Sequence, residues 1–297
     1  MATAREIKRR IGSVKNIAKV TGALEAVSAS KVRRAQAQAE ASRAYSRAAM
    51  QILQNIAENR DSEITHPLLE ARETVRAVSI VLISSDRGLA GPYNANVVDA
   101  AIRFARRMEK DGREVQYITV GRKGRDMVVR RGATIVAEFT DLPAWPNILS
   151  ISPITRAAID DFLNGVVDEV YLAYTDFINT LQLEPVVRRL LPLDPPASED
   201  YVTDVSAIGL NALYTFEPGA KAILVEIMPR FTELKLYQAV LESLASEHSA
   251  RMIAMRNATE NSESMVDDLT LSYNKARQSA ITGEILDIVG GAEAVGE

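Results

Sequence analysis

Between Arg230 and Val289 the chain contains no proline and a single glycine, Gly283. Across this stretch one seam recurs at spacings of three and four residues. It runs through Tyr237, Leu241, Leu244, His248, Met252, Met255 and Thr259, skips a full seven, and resumes at Val266, Leu269, Tyr273, Ala276 and Ala280. That period is helical and close to a heptad. Sixty helical residues extend about 90 Å, far beyond an ordinary globular helix. The rest of a chain of 297 residues cannot bury such a helix along its whole length. A second helix of similar length is required.

The N-terminal segment supplies one. The first 57 residues contain no proline and only Gly12 and Gly22. Ile7, Ile11, Val14, Ala18, Thr21 and Leu24 form a second seam. Beyond Lys31 the sequence is dominated by Ala, Ser, Gln and Arg. Alanine is the strongest helix former, and small side chains let a partner approach closely. Thr3 with Glu6 three residues on has the spacing of a capping box. The pattern holds to about Asn59, roughly 80 Å of helix. Both long helices leave the same central segment, so they are expected to pair antiparallel.

The central segment alternates between strand and helix patterns. Ala77–Ser84, Glu114–Val120, Thr134–Phe139 and Val167–Phe177 read as strands. Asn94–Lys110, Lys123–Arg131 and Pro153–Asn164 read as helices. Gln182–Leu191 reads as a further strand at a sheet edge, because Pro185 has no N–H for a ladder. Such alternation implies a Rossmann-like, mostly parallel sheet. Leu193–Asp204 is turn-rich loop. Pro218 suits a first helical turn, and Pro229 is expected to kink or restart the helix. The expected class is therefore α/β plus a long antiparallel coiled coil. Its expected division is an N-terminal helix at 1–60, an α/β domain with linkers at 61–216, and a C-terminal helix at 217–297.

Candidate chemistry is sparse. The chain has no cysteine, so it has no disulfide, thiolate nucleophile or zinc–thiolate site. That composition fits a reducing compartment. Of the two histidines, His66 lies beside Pro67 and His248 sits on the C-terminal seam; neither has a second ligand or a triad partner nearby in sequence. Asp160–Asp161 and Asp267–Asp268 are adjacent on helices and point apart. Ser84–Asn94 (SSDRGLAGPYN) lies between a strand and a helix, where backbone N–H groups can hold phosphate. It matches neither glycine-rich nucleotide motif, and Pro92 lacks a donor, so a tight structural turn fits it better. No catalytic, metal or cofactor site is expected. The N-terminus lacks the apolar core of a secretory signal, and no apolar run is long enough to span a membrane.

Charge is uneven. Residues 1–60 carry 12 Lys and Arg against 4 Asp and Glu, in a chain of net charge −4. A basic arm can meet an acidic partner, nucleic acid or a membrane surface. It can equally be a solvated helix that complements the acidic remainder. Tyr45 is the only aromatic residue in the first 57, which disfavours base stacking. The Ala- and Ser-rich seam is better explained by helix pairing than by nucleic acid.

The C-terminal run Ile281–Ala294 (ITGEILDIVGGAEA) resembles the signature of the gamma subunit of F-type ATP synthases, through Ile281, Thr282, Glu284, Asp287, Gly291 and Ala292. The stretches IKRRIGSVKNIAKVTGALEAVSASKVRRAQ, SSDRGLAG and SEHSARMIAMRNATENSESMVDDLTLSYNKARQSAIT resemble the same family, in order along the whole chain. Departures are modest. Gly22 and Ala23–Leu24 stand where Lys-Ala-Met is usual, and Ala90 and Pro92 replace more typical Cys and Gly. The cysteine-bearing insertion of the chloroplast version is absent, so no thiol control is implied.

The resemblance implies a non-catalytic rotor shaft without a cofactor. Its partners are the hexameric head of alpha and beta subunits, the epsilon subunit and the membrane c-ring. It implies a peripheral place on the cytoplasmic side of a bacterial cell membrane, reached through the complex. Carried over by position, Arg277, Gln278, Thr282 and Glu284 are the expected polar contacts with the head. Ile11, Val14, Leu24, Leu241, Leu244, His248, Met252, Met255, Leu269 and Tyr273 are the expected coiled-coil seam. Gly283 marks a place where the shaft is expected to thin or bend.

Overall fold

Among the residues described by the computed structural model, 3–58, 66–193 and 220–295, two long helices enclose an α/β segment in the chain. The order is α1 (Ala4–Glu58), β1 (Ala77–Ile83), α2 (Tyr93–Lys110), β2 (Glu114–Val120), α3 (Arg122–Val129), β3 (Thr134–Phe139), α4 (Ile148–Leu163), β4 (Glu169–Phe177), β5 (Leu183–Leu191) and α5 (Ala220–Val295). The chain forms two compact units. One holds residues 1–29 and 251–297, the other 30–250. The boundaries expected near 61 and 217, the loop positions 194–204 and the Pro218 start lie outside the described residues.

In the unit of residues 30–250 the sheet order is β3-β2-β1-β4-β5. β1 pairs in parallel with β2 and β4, and β2 with β3. β5 runs antiparallel to β4 at the edge, where Pro185 was expected to place it. The apolar run of β1 is buried on both faces, as a central parallel strand requires. On one face Val81, Ile83, Ile118 and Val120 pack with Ile151, Ile154 and Phe162 of α4 and with Phe231, Leu236 and Val240 of α5. On the other, Val78, Ile80 and Leu82 pack with Val97, Ala101 and Phe104 of α2 and Val128 of α3.

Two elements differ from the sequence reading. α4 begins at Ile148, five residues before Pro153. Asn147 caps it, its side chain accepting the Ser150 N–H at 2.9 Å. Proline inside the helix removes one bond to a residue four positions back, and that residue, Leu149, is 80% exposed. Water can therefore satisfy the orphaned carbonyl. α5 likewise runs through Pro229 as one helix, and the residue four back, Val225, is also exposed. In both cases an exposed turn absorbs the loss that would have ended a buried helix.

One buried carboxylate ties the strand starts together. Asp168, just before β4, accepts the N–H of Arg76 at 2.6 Å and of Ala77 at 3.1 Å. The Arg72 guanidinium donates to it at 2.7 Å and also to the Phe162 carbonyl. Burial alone would push the Asp168 carboxyl up, but these donors outweigh it and hold it below the usual carboxylate range. A depressed folded-state value means the contribution is present above the unfolded value of about 3.9 and is lost as pH falls through the folded one. Asp168→Asn is expected to cost about 2 kcal/mol at pH 7, because the amide loses the charge-assisted bonds while Arg72 keeps the Phe162 carbonyl and some water. It should also blunt the loss of stability below pH ~4. Urea unfolding followed by the fluorescence of Trp145, the sole tryptophan, measures both effects. Equal midpoints for the two chains at pH 7 would contradict this role.

Candidate functional site

The unit of residues 1–29 and 251–297 is a helix pair. α1 opens with a reciprocal cap: the Glu6 N–H donates to Thr3 Oγ1 at 3.3 Å and the Thr3 N–H to Glu6 Oε2 at 2.9 Å. Ile7 is buried, and Ile11, Val14, Ala18, Thr21 and Leu24 are half-buried, while residues between them are mostly exposed. On α5, Met255 is buried and Met252, Thr259, Val266, Leu269, Tyr273 and Ala276 are half-buried. Ala280, placed on the same seam by its spacing, is exposed.

Two contacts fix direction and register. The Thr21 and Thr259 hydroxyls lie 2.7 Å apart, and Arg256 Nε donates to Glu25 Oε1 at 2.9 Å. Numbers rise on one helix as they fall on the other, so the pair is antiparallel. The ion pair is half-exposed and contributes under about 1 kcal/mol. The threonine pair matters more for register, since a polar layer in an apolar seam penalises slippage. Continued at equal rise, this register sets Ile7 opposite Tyr273 and Thr3 opposite Arg277. Gln278, Thr282 and Glu284 then fall beyond the start of α1. These three and Arg277 are exposed. So are Ile281, Ile285, Leu286, Ile288 and Val289. The helix passes through Gly283 without interruption.

In the unit of residues 30–250 the remaining seam residues have a different setting. Leu241 and His248 are buried and Leu244 is half-buried. From Phe231 to Ala250 no residue of α5 is exposed. On α1, Val32, Ala35 and Ala39 are buried. Arg34 of α1 lies over the Trp145 ring, 4.2 Å from its centroid. Nearby, the Tyr237 hydroxyl of α5 donates to the Pro146 carbonyl at 3.2 Å.

Open α/β sheets bind ligands beyond the carboxyl ends of the strands where strand order reverses, here between β1 and β4. Here α5 borders that crevice and bonds its strand groups. The last registered pair is Leu82 with Ala173, so β1 leaves Thr175 without a strand neighbour on that side. Its N–H donates to Ser243 Oγ at 3.3 Å, and its carbonyl accepts from Ser246 Oγ at 3.2 Å. Ser249 Oγ donates to the Thr180 carbonyl at 2.8 Å. The Tyr93 hydroxyl reaches the Ser243 carbonyl at 3.2 Å. Serines of α5 thus continue the ladder that β1 ends. The geometry also explains Pro185, which stands opposite Thr175: the backbone groups of Thr175 face α5, so no donor is needed from β5.

The Ser84–Asn94 loop is similarly occupied. Asn94 Oδ1 accepts the Ser85 N–H, and Asp86 accepts the N–H groups of Arg122 and Asp141. Ser84 Oγ accepts the Gly124 N–H and donates to the Val120 carbonyl. A Cβ on Gly124 would come within 2.5 Å of that oxygen, and Gly121 (φ +92°) packs as closely on the Ser84 backbone. The loop's side chains thus tie it to the start of α3 and to Asp141. Sequence reasoning missed the serine contacts, the Arg34–Trp145 stack and Asp168. The three-residue spacing of Ser243, Ser246 and Ser249 was the available signal, on a face that an apolar stripe does not mark.

A family model described as ATP synthase matches residues 3–295. An ATP synthase gamma chain of Chloroflexus aurantiacus is 47% identical over 296 residues, 99% of each chain. One from Roseiflexus is 45% identical over 298 residues, 100% of each. Among solved structures, a chain of the Euglena gracilis mitochondrial ATP synthase is similar over 98% of this chain and 94% of that one, with TM-score 0.67 and 18% identity. A chain of the Tetrahymena thermophila central stalk and c-ring structure is similar over 80% and 99%, with TM-score 0.59 and 21% identity. These two structural likenesses concern the fold.

The register has a direct test in a chain without native cysteine. Thr21→Cys with Thr259→Cys is expected to oxidise readily to a disulfide. Thr21→Cys with Val266→Cys, displaced by about 10 Å along the helix, is not. The reverse pattern would refute the register. Nothing lies within 4 Å of a Cβ at Gly22, so Gly22→Ala is expected to stabilise the helix by about 1 kcal/mol, read as a raised thermal midpoint.

Proposed function

Because the chain belongs to the ATP synthase gamma-chain family, we propose that it acts as the central-stalk rotor subunit of an F-type ATP synthase. It couples ion flow through the membrane ring to the conformational cycle of the catalytic sites. It is non-catalytic, and the activity belongs to the complex. The observation that carries this reading is the full-length match to gamma chains. The physical features agree with it. A shaft needs length and stiffness, and α5 contains 76 residues with Pro229 as its one internal proline. Among the described residues no helix is long and apolar enough to cross a membrane, so membrane attachment comes through partners.

We assign the head of alpha and beta subunits to the helix pair, and the epsilon subunit and c-ring to the α/β domain. The functional division is the N-terminal helix at 1–60, the foot at 61–216 and the C-terminal helix at 217–297. The exposed Arg277, Gln278, Thr282 and Glu284 are the polar contacts with the head, beside the apolar Ile281 and Ile285. The seam residues Ile11, Val14, Leu24, Met252, Met255, Leu269 and Tyr273 serve pairing, and Leu241, Leu244 and His248 serve packing in the foot. The basic face of α1 attracts acidic loops of the head with long-range, weakly angle-specific force. The complex lies on the cytoplasmic face of a bacterial cell membrane.

Tagged chain is expected to retain alpha, beta and epsilon subunits in fixed proportion and to restore coupled synthesis to a complex lacking it. Alone it should show no ATPase activity. Full coupled activity without it, or saturable nucleotide binding by the chain alone, would overturn the reading. Arg277→Ala with Gln278→Ala is expected to weaken coupled turnover while leaving the thermal midpoint of the free chain unchanged, because both side chains are exposed.

A further inference from the structure

A rotor works only if its shaft cannot roll in its mounting. The contacts of α5 in the unit of residues 30–250 address that need, and they lie on two sides of the helix. Ser243, Ser246 and Ser249 bond the end of β4 and the turn after it. Tyr237 bonds the Pro146 carbonyl in the segment between β3 and α4. Nine residues separate Tyr237 from Ser246, two and a half turns at 3.6 residues per turn. The two sets of contacts therefore face opposite directions.

Apolar packing resists separation but resists sliding or rolling less, because it is non-directional. Hydrogen bonds are directional, and groups held on opposite sides of an axis form a couple. Rolling α5 in either sense must break one set. The cost is raised where both partners are buried: Thr175 of the strand is 3% exposed, and Ser243 and Ser246 of the helix are 2% and 0% exposed. Water cannot replace the lost partners there. The same β3–α4 segment is gripped by α1, through Arg34 stacked on Trp145. Beside the serines, burial and the nearby Glu242 carboxylate push the Tyr174 hydroxyl up.

We propose that Ser243, Ser246 and Ser249 on one side and Tyr237 on the other are the torque-bearing mount of α5, positioning residues through which rotation passes between the α/β domain and the long helix. This rests on the rotor reading above and adds which residues carry the load. The partner groups are the backbone of Thr175, Thr180 and Pro146, so the mount tolerates side-chain change in the strand but not loss of the hydroxyls on the helix.

The test uses the reconstituted complex on vesicles. Ser246→Ala, Tyr237→Phe and the double variant are compared with the unaltered chain. Each is read for ATP hydrolysis, for ATP-driven ion pumping against an imposed gradient, and for torsional stiffness in single-molecule rotation. Hydrolysis is expected to stay near normal. Pumping per ATP under load should fall severalfold in the double variant, with a matching loss of stiffness and a smaller effect in each single variant. Normal stiffness and normal pumping per ATP in the double variant, even with a lowered thermal midpoint, would reduce these residues to packing and overturn the proposal. Failure of the unaltered chain to restore coupled turnover would instead refute the rotor reading itself.

Discussion

The burial of α5 is the constraint on which the rest depends. A helix of 76 residues has several times the surface that a five-stranded sheet can cover. The chain meets this in two ways. In the unit of residues 30–250 the sheet, α4 and α1 leave no residue of α5 exposed from Phe231 to Ala250. In the unit of residues 1–29 and 251–297, α1 covers one stripe and the remaining faces stay in water. The composition of α5 follows these settings. Where enclosed it is mostly apolar or small, with Glu233, Lys235, Glu242 and Glu247 among these residues, and where merely paired it keeps a narrow seam with charged flanks.

The enclosed stretch also determines what the α/β domain can do. The reversal of strand order between β1 and β4 creates a crevice in any sheet of this kind. Here β1 stops short, and serine hydroxyls take the backbone groups that its continuation would have paired. At that point α5 hydrogen-bonds the strand groups that border the crevice. Beside it, Asn94 takes the Ser85 N–H of the neighbouring turn, and Asp86 and Ser84 take the N–H groups of Arg122 and Gly124 at the start of α3. The domain thus combines the topology of a doubly wound sheet with a helix held at its switch point.

Much of this was legible in the sequence, for physical reasons. The long helices declared themselves through proline-free length and a three-and-four period, and the edge strand through Pro185. β2 and β3 were bounded correctly because each is a short apolar run between turn residues. The failures have causes too. Pro153 and Pro229 lie inside helices because exposed turns tolerate a missing bond, and exposure cannot be read from one residue. The serine contacts were invisible because they depend on where β1 ends relative to β4, a tertiary fact. Asp168 falls inside the expected strand Val167–Phe177, and nothing local in the sequence marks it as the acceptor on which the N–H groups of Arg76 and Ala77 converge. Arg277, Gln278, Thr282 and Glu284 came from resemblance, since an isolated helix end offers no packing signal.

The central claim is that the chain turns relative to the catalytic head. A single cysteine at Leu181, which is 85% exposed, gives the cysteine-free chain one attachment point for a visible probe. With the head fixed to a surface and ATP supplied, the account predicts stepwise rotation in one direction that halts when ATP is withdrawn. A probe that stays fixed against the head while ATP is hydrolysed at the normal rate would contradict it.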